Sequence, residues 1–221
     1  EFVDKSKKLP KTSAVSPDQF KTHFENLKKD YDAIVHVSLS SLISSAYNNA
    51  CMVAKEMENV YVVDSKSLST GIALLAIKGK DLIDEGKDAK EIFETLQALT
   101  PKVEASFVLE RLNYLHKGGR CSALALLGAN ILKIKPQIIL SVGRMIVGKK
   151  YMGNMTKVVD KYIDDLLDNN PNPILEHVFI THSSPMPEAE KILTEKLENR
   201  GFKYIHNTLA GGTISSHCGP N

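Results

Sequence analysis

Apolar positions in the first third of the chain follow two alternating spacings. Phe20, Phe24 and Leu27 recur at the interval of a helix with one buried face, behind the start signal Ser16-Pro17-Asp18. Next, Ala33-Ile34-Val35-His36-Val37-Ser38 is a short, nearly continuous apolar run, as in strands covered on both faces. A Ser-rich segment at 38–45 leads into a helix carrying Ala46, Ala50, Val53 and Met57, and Val60-Tyr61-Val62-Val63-Asp64-Ser65 reads as a second strand. Helices over 70–85 and 89–99, parted at Gly86, complete the pattern. Such strand–loop–helix repetition predicts an α/β lobe built on a parallel sheet.

The pattern changes after Tyr114. Lys117-Gly118-Gly119-Arg120 is a break, 123–132 is a small-residue helix, and 136–140 with 145–147 read as a β-hairpin turning at Val142-Gly143. A helix over 156–167 stops at Asn169-Asn170-Pro171, followed by a strand over 177–182, a helix over 188–197 and a strand over 202–207. The expected architecture is α/β and two-lobed. An N-terminal lobe with a parallel sheet spans 1–116, and a second α/β lobe containing the hairpin spans 117–221.

Composition narrows the function classes. With 43% hydrophobic residues in 221, the chain can fill a real core and is not disordered. Its net charge of +2 disfavours a wholesale nucleic-acid binder. That balance hides an asymmetry. Residues 117–159 contain no Asp or Glu but eight basic residues, which leaves 20 of the 28 basic residues against all 26 acidic ones elsewhere. The three cysteines, Cys51, Cys121 and Cys218, form no CxxC pair, so a zinc ribbon is excluded and a reducing, cytoplasmic setting is expected. The chain opens on Glu1 rather than Met, with no signal-peptide pattern, and its start is expected to be missing.

Several segments carry candidate chemistry. Ser38, Ser40, Ser41, Ser44 and Ser45 lie between a strand and a helix, where hydroxyls and backbone N–H groups can hold a phosphate or a carboxylate, or merely cap the helix. Thr12-Ser13-Ala14-Val15-Ser16-Pro17 is a second hydroxyl-bearing loop, and Asp64-Ser65-Lys66-Ser67 ends a strand that faces the same sheet edge. The segment Gly143 to Lys149 imitates a phosphate loop but has Lys150 where Ser or Thr is required, and Met-Ile-Val belongs in a strand; it is rejected. His182, His206 and His217 lack metal-ligand spacing, and no GxSxG elbow is present. The Gly- and Ser-rich tail around His217 brings backbone and imidazole together, or is simply a turn-rich terminus.

Taken in order, these segments resemble the DegV family, bacterial fatty-acid-binding proteins that serve fatty acid kinase. The motifs are Thr12-Ser13-Ala14-Val15-Ser16-Pro17, Ser40-Ser41-Leu42-Ile43-Ser44-Ser45-Ala46-Tyr47, and Val63-Asp64-Ser65-Lys66-Ser67 with Gly71. Leu112-Asn113-Tyr114-Leu115-His116-Lys117-Gly118-Gly119-Arg120, Lys133-Ile134-Lys135-Pro136 and the stretch from Gly212 to Pro220 complete them. The resemblance implies one long-chain fatty acid buried between two lobes, its carboxylate held by Thr12 and Ser44 with Ser13 and Ser41 adjacent. His217 and Arg120 match polar residues near the head-group end. It also implies a carrier rather than a catalyst, with no metal or other cofactor, whose bound fatty acid a separate kinase converts to an acyl phosphate. Residues 124–127 and 131–139 with Phe107 are either the tunnel walls or simply core.

The chain departs from the family at several points. Ser45 stands for the usual Gly, Ala14-Val15 for Gln-Pro, Lys150-Tyr151-Met152-Gly153 for Lys-x-Arg-Gly, and Cys218 for Thr. Measured against the family, the first lobe lacks an initial strand and the second its last strand. The acid-free stretch fits docking to the kinase or transient contact with an anionic membrane surface, or is simply a solvated face. The alternatives are a hydrolase or phosphotransfer enzyme of related architecture using a Ser or His, and a member acting only through protein contacts.

Overall fold

Ser16 begins the first helix through a reciprocal cap. The Gln19 N–H donates to Ser16 Oγ (3.3 Å), and the Ser16 N–H donates to Gln19 Oε1 (3.0 Å). Helix α1, Pro17–Leu27, then buries Phe20 and Phe24, as the spacing predicts. The structure is a computed structural model and describes residues 10–111, 114–115, 118–119 and 134–219. It divides into two units. The first comprises Ser13–Ala105 with Leu140–Arg144, and the second Glu1–Thr12, Ser106–Ile139 and Met145–Asn221. The sequence-based line near residue 116 follows chain order; these units are defined by contact.

In the first unit, strand β1, Ile34–Ser38, pairs in parallel with β2, Val60–Asp64, so that Ile34 faces Val60 and Ser38 faces Asp64. The strands are apolar nearly throughout because both faces are covered. On one side α1 and α2, Ala46–Ala54, pack Phe20, Phe24, Ala50 and Val53 against Ile34, Val60 and Val62. On the other, α3, Thr70–Asp84, and α4, Ala89–Leu99, pack Leu75, Leu82, Ile92 and Leu96 against Val63, Val35 and Val37. Helix α2 stops at Ala54, short of Met57, which still packs on the core from the turn beyond.

Two further sheets occur among the described residues, mostly in the second unit. Strand β3, Ser106–Val108, pairs antiparallel with β4, Lys135–Ser141, whose other neighbour is β5, Arg144–Tyr151. The β4–β5 turn is Val142-Gly143, both at positive φ (48° and 82°), as a tight two-residue hairpin requires. Beyond β5 come α5, Met155–Asn169, and strand β6, His177–His182. Helix α6, Pro187–Arg200, leads to β7, Tyr204–Leu209, which runs parallel to β6. The last strand starts two residues later than the sequence indicates. Gly201 closes α6 in the left-handed region, and the Phe202 N–H bonds back to the Leu197 carbonyl, so Phe202 belongs to the cap. The tail forms a short helix, α7, Gly212–Cys218, rather than a run of turns. Among the described residues, no helix is long and apolar enough to cross a membrane.

Candidate functional site

Because β1 and β2 are parallel and Ser38 pairs with Asp64, the loops that follow them leave the same edge of the sheet. Asp64 organises that edge. Its side chain is buried, and Oδ1 accepts the backbone N–H groups of Ser41 and Lys66, each at 3.1 Å. The Lys66 ammonium lies 2.6 Å from Oδ2 of Asp64 and donates to Ser41 Oγ at 3.0 Å. Burial alone raises the pKa of Asp64, but Lys66, Ser41 and the two amides outweigh it and hold the carboxyl below its usual range. Lys66 itself sits at φ +50°, a left-handed conformation unusual for a side chain of that size.

The hairpin turn packs on this edge. Ser40, fully buried, donates from Oγ to the Gly143 carbonyl at 2.8 Å. A Cβ on Gly143 would lie 2.7 Å from Ser40 Oγ and 2.9 Å from Lys66 Cδ, so glycine is required both for φ and for space. Ser44 Oγ accepts the Ala46 N–H (3.2 Å) at the start of α2, which leaves its own O–H available; Ser45 makes no side-chain cap. Ser13 is exposed.

In the second unit, Thr12 and His217 meet although 205 positions separate them. Thr12 Oγ1 and His217 Nε2 share a hydrogen bond of 2.9 Å. Gly118 approaches the same imidazole so closely that a Cβ there would lie 2.3 Å from Nδ1. Two residues beyond His217, Gly219 (φ +78°) lies against the Tyr114 ring, and the Ser183 hydroxyl donates to its carbonyl at 2.6 Å. Cys218 packs on an apolar cluster of Leu109, Leu115 and Ile138, which Phe107, Met145 and Val147 also line. Burial pushes its thiol up to about 11. A polar pair therefore stands beside an apolar wall within one unit.

Of the sequence-derived site residues, the structure joins Thr12 to His217 in one unit and, in the other, places Ser41 on Lys66 and Ser44 at a helix start. Arg120 lies outside the described residues, as do the 123–132 helix and the candidate walls 124–127 and 131–133. Two participants stand within motifs that the sequence offered, but without a role assigned to them. Lys66 supplies a cation to the loop of hydroxyls and backbone N–H groups, and Gly118 is the floor under His217. The strand-end spacing Asp64-x-Lys66 was the available signal for the first. For the second, only the shared Gly-Gly and Gly-His character of two distant segments hinted at it.

His182 and His206, the other two histidines weighed as metal ligands, are engaged elsewhere. His182 Nδ1 bonds the Ser184 carbonyl at 3.0 Å, and its Nε2 lies 2.9 Å from Asn207 Oδ1. His177 and His206 share a 3.0 Å bond within a stack that includes Tyr204 and Phe179. Among the described residues, no group of three or more His, Cys, Asp or Glu side chains could hold a metal ion. The phosphate-loop imitation at 143–149 is the hairpin turn and strand β5.

A two-unit α/β fold with hydroxyl loops at a parallel sheet edge and a Thr–His pair by an apolar wall has the features of a small-molecule-binding protein. The chain belongs to the DegV family: the family model, described as "uncharacterised protein, DegV family", matches residues 1–221. It is 31% identical over 221 residues to a DegV domain-containing protein of Clostridium acetobutylicum, covering 99% of this chain and 77% of that one. A fatty acid-binding protein of Thermotoga maritima is 28% identical, over 96% of this chain and 75% of its own length. The crystal structure of a DegV lipid-binding protein from Thermotoga maritima superposes with a TM-score of 0.85 at 27% identity, covering 99% and 77% of the two chains.

Proposed function

We propose that this protein is a carrier that binds one long-chain fatty acid and presents its carboxylate to a separate kinase for conversion to an acyl phosphate. The observation that carries the reading is the hydrogen-bonded pair Thr12–His217 beside the apolar wall of Phe107, Met145, Val147 and Cys218, in a family whose relatives include a fatty acid-binding protein. When Nε2–H donates to Thr12 Oγ1, the threonine O–H is left to donate to a carboxylate oxygen. Burying each CH₂ contributes about 0.8 kcal/mol, so a chain of about sixteen carbons supplies on the order of 10 kcal/mol before ordering costs. Affinity thus comes from the apolar chain and orientation from the polar donors. Ser13, Ser41, Ser44 and Arg120 are the further head-group residues in this proposal. The setting is the cytoplasm, where the kinase partner is met.

One observation favours an enzyme instead: a hydroxyl 2.9 Å from an imidazole is also how a general base activates a nucleophile. Ser41 does not share that potential, because its oxygen accepts a hydrogen bond from the Lys66 ammonium, which is itself paired with Asp64. Titration with a fluorescent fatty acid tests the carrier. The variant Thr12→Ala with Ser44→Ala should bind about tenfold or more weakly than wild type, and unchanged affinity would refute the head-group assignment. A His217-dependent hydrolysis of acyl nitrophenyl esters would favour the enzyme.

A further inference from the structure

The edge of the first unit is more polar than a carboxylate needs. The Asp64–Lys66 pair is asymmetric: the carboxylate side chain is 7% exposed and the ammonium side chain 37%. The pair is therefore a dipole with its positive end toward solvent. Asp64 already accepts the amides of Ser41 and Lys66, so neither is open to an anion. What remains unspent is the Ser41 O–H, since its oxygen accepts from Lys66, and the third ammonium proton of Lys66. Nor does the lysine swing freely. Its stem is stacked against Gly143, which Ser40 clamps, and its backbone is fixed in the left-handed region.

We propose that Lys66, aimed by Asp64 and Gly143 and bonded to Ser41, is a specificity-determining residue that favours a phosphoryl over a carboxylate head group on the bound acyl chain. The inference rests on the fatty-acid reading and extends it to the phosphorylated ligand. A phosphate monoester carries between one and two negative charges near neutral pH and three acceptor oxygens, against one charge and two oxygens for a carboxylate. A fixed point charge therefore discriminates between them, and a neutral hydroxyl does so much less.

The test displaces a fluorescent fatty acid with palmitate and with hexadecyl phosphate, using the full chain and the variants Lys66→Met and Lys66→Arg. Lys66→Met should weaken hexadecyl phosphate about tenfold or more and palmitate about threefold or less, and Lys66→Arg should restore most of the difference. In wild type, the affinity for hexadecyl phosphate should fall more steeply with added salt. That comparison does not depend on any variant folding. Equal losses for both probes would mean that Lys66 only holds its loop, and no loss would mean that it faces no ligand; either overturns the proposal. Wild-type protein that binds neither probe overturns the fatty-acid reading first and this inference with it.

Discussion

Thr12 and His217 stand 2.9 Å apart, and Gly118 leaves no room for a methyl group behind the imidazole. Three segments distant in sequence thereby fix one ring. The position of His217 depends on an absent side chain as much as on a present one.

Gly118→Ala should therefore displace the ring. Its Cβ would fall 2.3 Å from Nδ1 and 3.2 Å from the Tyr114 carbonyl. A stability loss of about 1–3 kcal/mol is expected from such overpacking, together with weaker fatty-acid binding. In the double variant with His217→Ala most of the stability loss should return, as a double-mutant cycle would measure. An undiminished loss in the double variant would place the clash elsewhere.

Asp64 links stability to pH. Its folded pKa is depressed, so the stabilisation is full above the unfolded value of about 3.9 and disappears as pH falls through the lower folded value. Asp64→Asn should cost about 1–3 kcal/mol at pH 7. The gap between wild type and variant in denaturant titrations should narrow as pH drops below about 4. A gap that stays constant to pH 2 would contradict the pairing.

Gly143→Ala meets two obstacles, the positive φ of 82° and contacts with Ser40 Oγ and Lys66 Cδ. A loss of about 1–3 kcal/mol is expected. Gly86→Ala is the control, since its φ is also positive (78°) but nothing lies near its Cβ. The difference between the two variants in thermal unfolding reads the contact alone, and equal losses would refute it.

Burial raises the Cys218 thiol to about 11, so little thiolate exists at pH 8. Peptide mapping should show Cys218 alkylated by iodoacetamide at least about tenfold more slowly in folded than in denatured protein. Equal rates would show that the thiol is open to solvent.

The elements were legible where packing obeys local rules. Nearly continuous apolar runs matched the strands Ile34–Ser38 and Val60–Asp64, covered on both faces, and Ser16-Pro17-Asp18 announced α1. Ser106–Val108 was not legible, because three residues carry too little period; it is a strand only through its pairing with β4. Helix α7 was hidden by glycines and serines with low helix propensity, which tertiary contacts override. In the site, hydroxyl types and motifs identified the residues, but not their companions. Lys66 meets Ser41 across 25 positions and His217 meets Thr12 across 205, and no periodicity encodes such contacts.

The central claim is that the protein carries a fatty acid, and what it holds when purified tests this most directly. Organic extracts of native protein, measured by mass spectrometry, should contain a long-chain fatty acid at about one equivalent per chain, reduced in Thr12→Ala with Ser44→Ala. A wild-type extract without fatty acid, from protein that also fails to take up added palmitate, would contradict the account.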